Sequence, residues 1–189
     1  MGVSEQETAA AEPMLAVAVR YWQELGLDLG ETALVAGDGF LARMFCLAAV
    51  WHGACPVIRL DSSDPDIPGV ENWKLPSDDP EASLDRLAGR LADAPAVAAV
   101  ELTGQAVVAD ALFEILPVYA RLLLAGSAGE PLTIDYYNNI HRKGINVLAR
   151  TIDPAFPAGS GDDPFVARVK ALLACPERVK AVMVATRGS

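Results

Sequence analysis

The stretch TALVAGDGFLARMF, residues 32–45, decides the fold of this chain. Its apolar start, Thr32–Ala36, predicts a buried strand, which leads directly into GDGFLA, residues 37–42, and then into a helix over 39–51. A strand–turn–helix unit of the pattern G-x-G-x-x-A suits an anionic ligand. The first glycine permits a tight turn, the second lets the anion approach the backbone, and the small third residue lets the helix pack on the strand. N–H groups of the first helical turn then face the anion.

An acidic residue at a suitable distance strengthens this interpretation. A second predicted strand, 56–60, ends at Asp61, which lies 24 residues after Gly37. In dinucleotide-binding units an acid about 20 residues after the first glycine accepts hydrogen bonds from the ribose hydroxyls. Such a carboxylate would repel a 2′-phosphate, so it favours NAD over NADP. The candidate cofactor-binding residues of this unit are Gly37, Gly39, Phe40, Leu41 and Asp61.

Two residues of the same turn oppose a dinucleotide. Asp38 places a carboxylate where a diphosphate would lie, and like charges repel. Phe40 is bulky at a position that is usually small, and its ring could cover the ligand's path. A second interpretation therefore stays open, in which Gly37, Gly39 and Asp61 are ordinary turn residues.

Strand-like and helix-like segments alternate along the rest of the chain. The sequence predicts helices over 14–25, 39–51, 80–92, 105–116, 134–142 and 164–175, and strands over 32–36, 56–60, 71–75, 96–102, 120–125, 145–149 and 179–184. Continuous apolar strands joined by helices indicate a parallel sheet that is covered on both faces. With right-handed crossovers this is an α/β fold, a Rossmann-like doubly wound parallel sheet in three layers, α/β/α. We expect residues 1–13 to be a flexible tail and residues 14–189 to be a single domain.

Composition excludes several classes of function. The 189 residues carry 15 basic and 25 acidic side chains, a net charge of −10, without any Lys/Arg cluster. Nucleic acid is therefore not expected as a partner, because basic side chains dominate phosphate binding. No apolar run reaches the roughly 18 residues of a transmembrane helix. The polar, acidic N-terminus does not resemble a signal peptide, so we expect a cytoplasmic protein without a membrane partner.

Four segments match one known family in order and spacing. They read GETALVAGDG (30–39), HGACPVI (52–58), LPVYARLLLAG (116–126) and GEPLTI (129–134). Together they resemble the nucleotide-binding domain of the medium-chain dehydrogenase/reductase family, the group of zinc alcohol dehydrogenases and quinone reductases. The resemblance runs from Met14 to about Val184.

The resemblance implies a cofactor and further contacts. NAD(H) is the implied cofactor, and its implied contacts after the fourth and fifth strands are Thr103, Gly104, Ala125 and Gly126. It also implies a homodimer through the edge strands 145–149 and 179–184. The family carries a separate catalytic domain before the nucleotide domain, and we expect this chain to lack it. A redox step would then need a partner protein, a dimer mate or a pocket formed by the loops 61–69 and 127–142.

A zinc site is not expected. The position that corresponds to the family's last zinc ligand falls within residues 8–16, which contain neither Cys nor His. The three cysteines, Cys46, Cys55 and Cys175, fit no zinc spacing and are expected to be reduced thiols.

Few residues suggest catalysis. Tyr136, Tyr137 and His141 form a polar cluster in YYNNIHR, where Tyr or His could be a general acid, although such clusters more often cover a helix. Glu101 ends the fourth predicted strand, where burial could raise its pKa or where it could simply be hydrogen-bonded.

Three functions remain open at this point. The first is an NAD-dependent oxidoreductase, or the cofactor domain of one, without zinc. The second is a non-catalytic, dehydrogenase-like binding or assembly module that has lost cofactor chemistry. The third is a domain that binds S-adenosylmethionine, since methyltransferases also use a glycine-rich turn and an acid at the end of the second strand.

Overall fold

The computed structural model describes residues 5–60, 67–74, 80–127 and 131–152. Four α-helices are present in these ranges: α1 (Glu5–Glu24), α2 (Gly39–His52), α3 (Pro80–Leu91) and α4 (Ala106–Ile115). The strands are β1 (Thr32–Ala36), β2 (Val57–Leu60), β3 (Val70–Trp73), β4 (Ala96–Glu101), β5 (Arg121–Leu124) and β6 (Asn146–Ala149). A π-helical turn, Tyr136–His141, lies between β5 and β6.

The six strands form one parallel sheet in the order β3-β2-β1-β4-β5-β6. The chain crosses from one half of the sheet to the other between β3 and β4, so β1 and β4 are neighbours at the point where the strand order reverses. Ligands of doubly wound sheets bind at the carboxyl ends of the strands beside this point. The sheet confirms the predicted Rossmann-like α/β fold.

Both faces of the central strands are buried, which explains why these strands are largely apolar, with Arg59 in β2 and Glu101 at the end of β4 as buried charged exceptions. Side chains alternate between faces along β1: Ala33 and Val35 pack with α1 and α2, whereas Leu34 and Ala36 pack with α3 and α4. On the first face the indole N–H of Trp22 donates a 2.8 Å hydrogen bond to the Phe45 carbonyl. The fully buried Trp22 thereby fixes α1 against α2.

Two elements differ from the predicted ones in extent or type, and the other boundaries in the described ranges agree within two residues. Helix α1 begins at Glu5 rather than at Met14, so residues 5–13 are helical where the sequence predicted a tail. The segment before Pro13 is rich in Glu and Ala, which are good helix formers, and Pro13 lies within α1. The predicted helix over 134–142 is the shorter π-helical turn. The predicted helix 164–175 and strand 179–184 lie outside the described residues.

None of the helices in the described part of the chain is both long and apolar enough to cross a membrane.

Cys46 and Cys55 are free thiols, and complete burial raises the pKa of Cys46 to about 12.

Lys143 caps the C-terminal end of α4, which lies at the edge of the sheet opposite the carboxyl ends of the strands. Its ammonium donates hydrogen bonds to the carbonyls of Phe113 at 2.7 Å, Glu114 at 2.6 Å and Leu116 at 3.0 Å. The last carbonyls of a helix lack partners within the helix, and a cation there also complements the helix dipole. Burial lowers the pKa of Lys143. The lysine therefore stabilises α4 and joins it to the turn before β6.

Replacing Lys143 by methionine should lower the free energy of unfolding by about 1–3 kcal/mol, because three carbonyls lose their donor. Urea denaturation followed by circular dichroism measures this. Lys74→Met at the exposed Lys74 is the matched control and should change stability by less than about 0.5 kcal/mol. Equal stability of the two variants would contradict the capping role.

Candidate functional site

The turn between β1 and α2 has the backbone shape that a bound anion needs. Gly37 has φ of +150°, and a Cβ atom there would lie 3.0 Å from the Leu102 Cβ. Gly39 has φ of +76°, in the left-handed region, and a Cβ atom there would meet nothing within 4 Å. The backbone at Gly39 is therefore open to a ligand at the start of α2, where its N–H groups and the helix dipole favour negative charge.

The chain's own carboxylate already lies at this position. Asp38 is the N-cap of α2, and its Oδ1 accepts a hydrogen bond of 2.7 Å from the Gly39 N–H. Phe40 is half-buried and packs against the core on the α1/α2 side. Because the Phe40 side chain is partly buried against the core, Asp38 is the side chain that a diphosphate would contact.

A second carboxylate organises the end of β4. Glu101 is 3% exposed, and its Oε1 accepts hydrogen bonds from the Thr103 N–H at 2.6 Å and the Gly104 N–H at 3.0 Å. The Thr103 hydroxyl also donates to the same oxygen. A buried carboxylate requires such donors. The resemblance implied cofactor contacts at Thr103 and Gly104, and the backbone amides of both residues bind Glu101 instead.

The end of β5 packs directly on the same group. The Ala125 and Gly126 N–H groups donate to the Glu101 carbonyl at 2.9 and 3.0 Å. A Cβ atom on Gly126 would lie 2.1 Å from the Gly104 nitrogen and 2.7 Å from the Glu101 Oε2. Gly126 is required here because the segments after β4 and β5 approach too closely for any side chain.

A cavity of about 70 Å³ adjoins Glu101 at the carboxyl edge. This volume accommodates several water molecules or one small organic group. The first turn of α4 borders it, and Gln105, the N-cap of that helix, makes no capping hydrogen bond with its side chain. The lining residues are Glu101, Gly104, Gln105, Ala106, Ala109, Leu124, Gly126 and Leu132.

The tyrosine and histidine candidates lie elsewhere. Tyr137 stacks on His141 with ring centroids 5.6 Å apart, and both are exposed on the π-helical turn. Tyr136 is 65% exposed. The turn is started by Asp135, whose pKa the Asn138 N–H holds below its usual value. None of the three rings lines the cavity beside Glu101.

These residues fit a dinucleotide only in part. The open backbone at Gly39 fits a phosphate group, whereas the Asp38 carboxylate on the Gly39 N–H does not. Asp61, which was predicted to hold the ribose, lies outside the described residues. Within the described ranges, no three His, Cys, Asp or Glu side chains are grouped so that they could hold a metal ion.

The Gly126 packing can be tested through stability. Gly126→Ala should destabilise the protein by at least about 2 kcal/mol, since the added methyl overlaps the Gly104 backbone. Gly89→Ala is the control, because a Cβ there meets nothing within 4 Å in α3 and should stabilise the helix by about 0.5 kcal/mol. Thermal unfolding compares the two, and tolerance of Gly126→Ala would contradict this packing.

Known proteins resemble the chain in fold. No family model matches the sequence, and no curated protein matches it. An alcohol dehydrogenase from Thermotoga maritima superposes with a TM-score of 0.71 at 19% identity, over 96% of this chain and 51% of that one. 2R,3R-butanediol dehydrogenase from Bacillus subtilis superposes with a TM-score of 0.71 at 18% identity, over 95% of this chain and 49% of that one. An alcohol dehydrogenase from Thermus sp. ATN1 superposes with a TM-score of 0.68 at 16% identity, over 97% of this chain and 51% of that one.

The chain thus spans about half the length of these dehydrogenases. At such low identity the likeness concerns the fold alone. The chain has a Rossmann-like α/β fold that is similar to the corresponding part of these dehydrogenases.

Proposed function

We propose that this chain binds NAD(H) at the turn of residues 37–42 and acts as the cofactor domain of an NAD-dependent, dehydrogenase-like protein without zinc. The observation that carries the proposal is the open, left-handed backbone at Gly39, beside the point where the strand order reverses. The similar architecture of known alcohol dehydrogenases supports it.

Each part of the carboxyl edge has an assigned role in this proposal. The N–H groups at the start of α2 hold the diphosphate, and Asp61 accepts hydrogen bonds from the ribose of the adenosine half. The nicotinamide half contacts the residues that follow β4 and β5, which are Thr103, Gly104, Ala125 and Gly126. The bound cofactor would supply hydride transfer, and the protein orients it.

The catalytic candidates keep unequal support. Glu101 borders the cavity, but its carboxylate binds backbone amides, so we assign it the positioning of the strand ends. Tyr136, Tyr137 and His141 are exposed on the π-helical turn, where a partner protein or dimer mate could approach them. A catalytic role for these three stays a prediction.

Cofactor binding should depend on the open backbone at Gly39. We expect NADH to bind the wild type, and Gly39→Ala to weaken binding at least about tenfold, because the methyl enters the space that the phosphate would use. Isothermal titration measures both. Gly30→Ala is the matched control: Gly30 also has a left-handed φ, of +81°, and free space for a Cβ, but it lies before β1 at the opposite edge.

NADPH should bind more weakly than NADH in the same titration, because the carboxylate of Asp61 repels a 2′-phosphate. Absence of NADH binding at millimolar concentration would contradict the proposal, as would equal weakening by the Gly30 and Gly39 substitutions.

A second candidate function is a non-catalytic binding or assembly module. Two carboxylates of the chain favour it, since Asp38 holds the Gly39 N–H and Glu101 holds the amides of Thr103 and Gly104. S-adenosylmethionine is a further ligand of the adenosine class. Native mass spectrometry of the purified protein separates the three cases by the mass of any ligand retained.

Either function is compatible with a homodimer formed through sheet edges. Strand β6 pairs with β5 on one side, and within the described residues no strand pairs with its other side. Unpaired strand edges favour association. We expect light scattering to give a molar mass near twice the 19.9 kDa of one chain. A constant mass of one chain at all concentrations would contradict the dimer.

A further inference from the structure

We infer that Asp38 determines which adenosine compounds the turn accepts, because its carboxylate competes with a ligand phosphate for the Gly39 N–H. This inference rests on the proposed function. It makes phosphate charge, rather than the adenine or ribose, the property that this turn selects against.

The competition follows from one hydrogen bond. Asp38 Oδ1 lies 2.7 Å from the Gly39 nitrogen, within the range of a charge-assisted bond. A phosphate that binds the same N–H must either displace this carboxylate or lie against it. Displacement removes the side-chain cap of α2, and proximity brings two negative charges together.

Charge is the obstacle that Asp38 adds at this turn. Apart from the neighbouring residues Asp38 and Phe40 and the helix's own backbone, a Cβ atom at Gly39 would meet no atom within 4 Å. Asp38 itself is exposed and extended, with φ of −123° and ψ of 170°. A neutral group can therefore enter the space that a phosphate enters only at an electrostatic cost.

Other charges of the chain add to this effect without replacing it. Glu101 is a buried carboxylate at the end of the neighbouring strand β4, and the whole chain has a net charge of −10. An uncharged adenosine does not respond to these charges, whereas a diphosphate responds most to the nearest one. The gain in affinity on removal of the Asp38 charge should therefore increase along the series adenosine, AMP, ADP.

The substitution Asp38→Asn isolates the charge. Asparagine caps helices as well as aspartate does, so α2 keeps its first turn while the negative charge is lost. The control is Asp93→Asn. Asp93 is an exposed acid between α3 and β4, at the opposite edge of the sheet, and its substitution changes the net charge by the same amount.

Isothermal titration of the full chain with adenosine, AMP, ADP and NADH tests the inference. Asp38→Asn should raise the affinity for ADP and NADH about tenfold and leave that for adenosine within about twofold. Asp93→Asn should leave all four affinities unchanged. Added salt should reduce the gain for ADP, because the site is exposed and the repulsion is screened.

Four outcomes would overturn the inference. An equal gain for adenosine and ADP would assign the effect to helix stability. An equal gain in Asp93→Asn would assign it to net charge. Tight NADH binding that Asp38→Asn leaves unchanged would retain the proposed function and remove the role of Asp38. If no adenosine compound binds any of the three proteins, the proposed function fails and the inference fails with it.

Discussion

The carboxyl edge of this sheet depends on the buried carboxylate of Glu101. Its side chain accepts hydrogen bonds from the N–H groups of Thr103 and Gly104, and its backbone carbonyl accepts hydrogen bonds from those of Ala125 and Gly126. A buried carboxylate without donors would be costly, so the chain after β4 must fold back over it. The same requirement excludes a side chain at Gly126 and fixes the distance between the ends of β4 and β5.

A second carboxylate acts on the other side of the crossover. Asp38 caps α2 and so satisfies a backbone donor that many nucleotide-binding folds leave to their ligand. Its bond to Gly39 is made within the chain and needs no partner molecule. The carboxyl edge thus combines a glycine-rich turn after β1 with two carboxylates that accept hydrogen bonds from the nearby backbone amides.

The sequence predicted the fold well, because burial leaves a clear pattern. The largely apolar runs TALVA, VIRL and AVAAVE form the strands β1, β2 and β4, and the pattern G-x-G-x-x-A correctly placed the turn at Gly37 and Gly39. The start of α1 was missed because a proline usually marks a boundary. The π-helical turn was missed because its hydrogen-bond period differs from the α-helical spacing that sequence patterns reveal.

The site was predicted less completely, since hydrogen bonds over two or three residues leave almost no periodic signal. An Asp directly before a helix is a recognised N-cap, so the position of Asp38 could have indicated its bond to Gly39. The capture of the Thr103 and Gly104 amides by Glu101 had no comparable signal. The sequence ELTG, residues 101–104, does not show whether the Glu101 carboxylate accepts hydrogen bonds from the amides that follow it or points into a cleft.

The hydrogen bonds of Lys143 also connect two separate parts of the second half of the sheet. They join the last carbonyls of α4 to the turn before β6. The helix has 10 residues, so it is about 15 Å long, and its first turn borders the small cavity beside Glu101. The lysine therefore links the turn before β6 to the residues around this cavity through the length of a single helix.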